Sequence, residues 1–64
     1  MIKTHTIVKG KRQRGEPAAT LDAAMDRAER ILSIVLDVEA VEIIRHRRLG
    51  RSHSLELMER ITRD

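Results

Sequence analysis

The chain has no cysteine and no Phe, Tyr or Trp. The first absence removes disulfides and thiolate metal sites, and with them any reading of the redox compartment. The second limits the core to Ile, Leu, Val, Met and Ala, which fill less volume than rings. It also argues against a reader of single-stranded nucleic acid, which would stack bases on aromatic side chains. No apolar run is long enough to span a bilayer, and the opening MIKTHTIVKGKRQRGE lacks the apolar stretch of a signal peptide. A soluble cytoplasmic protein is therefore expected. At 64 residues the chain makes one small domain, 1–64. Domains of this size lean on a partner subunit when disulfides and metals are missing. Self-association, most simply as a homodimer, is expected.

Charge is present in quantity but segregated. Residues 1–15 carry five positive side chains and no acid, residues 16–44 seven acids against Arg27 and Arg30, and residues 45–64 six arginines against three acids. This basic–acidic–basic pattern informs more than the net charge of +3.

The clearest periodicity lies in TLDAAMDRAERILSIVL. At about 100° per residue, Leu21, Ala24, Met25, Ala28, Ile31, Leu32, Val35 and Leu36 gather on one side, with Asp22, Asp26, Arg27, Glu29, Arg30 and Ser33 opposite. The spacing predicts an amphipathic helix over 20–36 with Thr20 as its N-cap and Asp22 in its first turn. Continued on the same wheel, Glu39 and Glu42 fall in the apolar arc, so the period changes there.

Before the helix, alternation and β-propensity predict a strand over 2–9. The segment 10–17, with glycines, a proline and no apolar residue, reads as a basic flexible loop. After the helix, β-branched alternation predicts a strand over 38–47. A turn around Gly50 leads to a third strand over 52–62, pairing Val41 and Ile43 with Leu57 and Leu55 on the core face. The expected architecture is α+β, a single β-α-β-β domain with the helix packed on a small antiparallel sheet. On its outer face Ile7, Ile44 and Met58 would remain apolar, marking them as a candidate oligomer interface. A mostly α alternative stays open, because Asp37–Leu49 and Ser52–Ile61 also admit helical spacing.

No constellation points to catalysis. There is no nucleophile elbow, no phosphate-binding glycine motif, and Ser52 and Ser54 would point away from His53 on a strand. Three histidines, His5, His46 and His53, lie in expected strands, but none has a metal-ligand spacing and RHRR surrounds His46 with cations. No enzyme, metal or cofactor is expected. The basic clusters carry the functional reading: Lys9, Lys11, Arg12 and Arg14 on the loop, and Arg45, Arg47, Arg48 and Arg51 around the hairpin end. Such groups engage phosphate backbones or acidic protein surfaces without base readout. The expected function is that of a non-enzymatic, homo-oligomeric module binding an anionic partner.

Two resemblances accompany this reading. LGRSHSLELMERI resembles the turn and second helix of ribbon–helix–helix repressors, which would make RILSIVL a DNA-reading ribbon and Asp37–Leu49 the first helix. The order strand, long helix with RAERIL, then hairpin is similar to dodecin-like flavin-binding oligomers. The aromatic residue that stacks on flavin there is missing here, so that resemblance implies an oligomer without the ligand. The same order of elements occurs in small phage-encoded inhibitors of bacterial defence, which act by protein–protein contact.

Overall fold

The computed structural model describes residues 1–63. It is α+β: strands β1 (Ile2–Val8), β2 (Lys11–Arg12) and β3 (Glu16–Ala18), helix α1 (Leu21–Ile34), then β4 (Ala40–Leu49) and β5 (Ser52–Thr62). All pairings are antiparallel, in the order β2-β1-β4-β5, with β3 on the same edge of β1 as β2. The mostly α alternative fails, and with it the ribbon–helix–helix reading. Residues 52–62 are a strand, and RILSI lies within α1.

The helix forms where its periodicity places it. The Thr20 side chain accepts from the Ala23 N–H at 3.1 Å, filling one of the donors that a helix start leaves free. The helix stops two residues earlier than expected, at Ile34. The Ser33 hydroxyl donates to the Arg30 carbonyl, and Arg63 donates to the carbonyls of Val35 and Val38 at 2.7 and 3.0 Å, satisfying the chain beyond the helix end. Of the eight residues on the apolar arc, Ala24, Ala28 and Leu32 are buried, while Leu21, Val35 and Leu36 are exposed. The two alanines let the helix axis approach the sheet closely. Leu32 then packs with Val38 and Val41, flanked by Val8, Ile31 and Ile61.

The segment expected as a flexible loop is part of the sheet. Lys9 and Gly10 both take positive φ, 53° and 75°, which matches the right-handed strand twist and folds the chain straight back. Arg12 then pairs with Ile7, and Glu16 with Thr4. Between those pairs two residues of β1, His5 and Thr6, face three of the returning chain, Gln13, Arg14 and Gly15. The extra residue is a bulge. Composition hid these strands because an edge strand with a wet face needs no apolar residue.

The β4–β5 hairpin departs from the expected register. Its turn has only two residues, Gly50 and Arg51, and only Gly50 has positive φ. Leu49 therefore pairs with Ser52, Ile44 with Leu57 and His46 with Leu55. A bulge at Met58 re-phases the strand, so that Val41 meets Ile61. Leu55 and Leu57 thus lie on the face away from the helix, not in the core, since paired residues share a face. Turn geometry overrode the hydrophobic match.

Five consecutive residues of β4, Ala40 to Ile44, are buried. Val41 and Ile43 face the helix, and Ala40, Glu42 and Ile44 face the other side of a curled sheet. Ile7 and Ile44, expected on an exposed apolar face, are themselves buried, and Met58 is half-buried. The curl and the arginine stems of Arg12 and Arg60, drawn onto Glu42, close that side instead.

Candidate nucleic-acid interface

The last pairing of β1 with β4 is Ile2 with Arg45, supplemented by the His46 N–H donating to the Met1 carbonyl at 2.7 Å. Beyond that point, among the described residues, β4 and β5 pair only with each other, through Arg47–Ser54, Arg48–His53 and Leu49–Ser52. Residues 47–55 are all exposed. This two-stranded ribbon lengthens the molecule to 39 × 24 × 16 Å and raises the radius of gyration to 11.8 Å, against about 10.7 Å for a compact chain of this length.

Arg47 projects from the helix side of the ribbon, Arg48 from the opposite side, and Arg51 sits in the turn. Among the described residues none of the three has a carboxylate within ion-pair distance. Arg45, at the ribbon base, lies 3.7 Å from Glu56, a long and half-exposed contact. The other expected cluster is elsewhere. β1 runs from the ribbon base to the Lys9–Gly10 turn, so Lys9 and Lys11 lie at the opposite end of the sheet. Arg12 is committed to Glu42, with its Nε and Nη2 each 2.9 Å from Oε1. Lys9, Lys11 and Arg14 are exposed. The eight cations therefore do not form one surface.

Beneath the ribbon base lies a polar network that the sequence reading missed. Glu42, its side chain 8 % exposed, accepts from Arg12 on one oxygen and from Arg60 at 3.0 Å on the other. The buried His5 ring stacks on His46, with centroids 5.3 Å apart and Nε2 atoms at 3.1 Å. His5 Nδ1 lies 2.9 Å from the Gln13 carbonyl, which only accepts, so a neutral His5 carries its proton on Nδ1. Its Nε2 is then the acceptor, and His46 Nε2–H the donor. The bulge makes this possible: Gly15 sits so close that a Cβ there would stand 2.5 Å from His5 Cε1.

His46 is held below the usual histidine range by its partial burial and by the surrounding Lys3, His5, N-terminal amine and Arg12. The same positive field disfavours a cation at the histidine pair. His53 stands farther along the ribbon, opposite Arg48, and does not join it. Among the described residues no three metal-ligating side chains converge, no pocket opens, and no helix is long and apolar enough to cross a membrane. Lys3, which pairs with Ile44 on the face of His46, is a further cation at the ribbon base. Its alternation with His5 and Ile7 was visible, but its proximity to residue 46 needed the β1–β4 register.

No protein-family model matches the chain, and neither the curated proteins nor the solved structures contain a significant match to it.

Proposed function

We propose that the protein is a non-enzymatic, cytoplasmic module that binds the backbone of duplex nucleic acid through the β4–β5 ribbon. The observation that carries this reading is the placement of Arg47, Arg48 and Arg51, exposed and without carboxylate partners among the described residues, on a two-stranded ribbon standing clear of the body. A ribbon of two strands fits the major groove of B-form DNA, about 12 Å wide. Guanidinium groups on both faces and at the tip reach phosphates on either wall, where each contact releases counterions. The absence of Phe, Tyr and Trp favours a duplex partner over splayed single strands. Lys3 and Arg45 extend the positive surface towards the base of the ribbon.

The test is fluorescence anisotropy with a labelled duplex over about 50 to about 200 mM salt. Replacing Arg47, Arg48 and Arg51 together by Ala should weaken binding at least about tenfold and reduce the salt slope by about 2–3, since each phosphate contact contributes about 0.9. Replacing Lys9, Lys11 and Arg14 should change it little. Equal losses from both sets, or no salt-dependent binding by the natural chain, would refute the assignment to the ribbon.

A further inference from the structure

We infer that a second copy of this chain pairs antiparallel with the free edge of β5, about a two-fold axis passing beside Leu55. β5 has eleven residues and, among the described residues, pairs only with β4. Its outer edge leaves a row of backbone N–H and C=O groups open to another strand. Edges of this kind are usually guarded by lysine, proline or a bulge. Ser52–Leu57 has neither lysine nor proline, and the bulge comes only after it.

The side chains along that stretch fit the same occupant. Leu55 and Leu57 are 58 % and 56 % exposed although they flank Ile44, which is 2 % exposed. They continue an apolar row that this chain alone does not finish. With the axis at Leu55, Leu55 meets Leu55 of the second copy, Leu57 meets its His53, and Glu56 meets its Ser54. Moving the axis to Glu56 would set two carboxylates face to face, which opposes pairing.

Surface area points the same way. The chain exposes 4845 Å², against about 4,200 Å² for a compact monomer of 7.4 kDa. The excess of roughly 600 Å² per copy is what a pairing that buries about 1,000 Å² or more in total would remove.

The dimer stands independently of the nucleic-acid reading. It would join the two ribbons edge to edge in one four-stranded sheet, with the Gly50 turns at its opposite ends about 34 Å apart at about 3.4 Å per residue, so the groove fit described above is that of the monomer.

Sedimentation equilibrium of the full chain at about 100 μM should give twice the monomer mass, with association at least tenfold weaker in Leu55→Lys/Leu57→Lys. Both positions are exposed, so the far-UV circular dichroism of that variant should be unchanged. Because the chain has no cysteine, Leu55→Cys should cross-link to itself on mild oxidation, while Ser33→Cys on the helix should not. A monomer at that concentration, a dimer indifferent to the lysines, or cross-linking through Ser33→Cys alone would overturn the inference. A monomer that gains mass only with another protein's extended segment would overturn it equally. Loss of nucleic-acid binding with the dimer intact would count against the proposed function alone.

Discussion

Replacing Gly15 by Ala tests the contact on which the β1–β3 side of the sheet closes. The added Cβ would stand 2.5 Å from His5 Cε1 and 2.6 Å from Nε2, so the ring or the bulge must move. The ring is not free to swing, because Nδ1 is bonded to the Gln13 carbonyl and Nε2 to His46. Displacing it breaks two hydrogen bonds, about 1 kcal/mol each. Crowding adds about 1–3 kcal/mol. Against this, alanine lowers the entropy of the unfolded chain by about 0.4–1 kcal/mol, a gain available because the backbone at Gly15 does not need positive φ. The net expectation is a loss of about 2–4 kcal/mol, a fall in Tm of roughly 10–30 °C for a domain of this size. Urea unfolding followed by far-UV circular dichroism reads it, since no tryptophan is present. The decisive arm is the same substitution in a His5→Ala background. With the ring gone, Gly15→Ala should be neutral to within about 0.5 kcal/mol, giving a coupling close to the whole single-variant effect. Equal losses in both backgrounds, or no loss in the natural chain, would refute the account.

Glu42 and its arginines should respond asymmetrically. Replacing Arg12 and Arg60 together by Met keeps their apolar stems but strands a buried carboxylate, at about 3–5 kcal/mol. Glu42→Gln leaves two half-exposed guanidinium groups that can turn to water, at about 1 kcal/mol. Chemical denaturation decides, and the reverse ranking would contradict the burial argument. Stability should also fall in mild acid. His46 binds its proton less readily when folded than when unfolded, so the contribution is complete above the unfolded value near 6.5. It is lost as pH drops from there through the lower folded value. His46→Gln, which keeps an N–H donor without titrating, should flatten that limb of a pH–stability curve. An unchanged acid limb would remove His46 from the explanation.

The helix and its cap were legible because burial and capping leave a strong local signature. Ala24, Ala28 and Leu32 recur at helical spacing, and Thr20 precedes them. The Gly50 turn was legible too. What failed was non-local or hydrophilic. β2 and β3 carry Lys, Arg, Glu and Pro, so their pairing with β1 left no alternation to read. Leu55 and Leu57 look like core residues, and only the two-residue turn, a fact of backbone geometry, sends them to the other face. The histidine pair joins residues 41 apart in sequence and depends on the β1–β4 register. The basic residues could be found but not grouped, because residues 9–14 and 45–51 are brought to opposite ends of one sheet.

The ribbon is the uninterrupted continuation of the buried strand. No glycine or proline stands between Ala40 and Leu49. The aim of the arginines is thus phase-locked to the core, with no hinge between the residues that stabilise the fold and those that would touch a partner. One residue inserted after His46 and one before Leu55 would exchange the faces of Arg47 and Arg48 while leaving every buried position in place. Two inserted in each strand would restore the faces and carry the tip about 7 Å farther out. Reach and handedness of the ribbon are in this sense separately adjustable, one by even insertions and the other by odd ones.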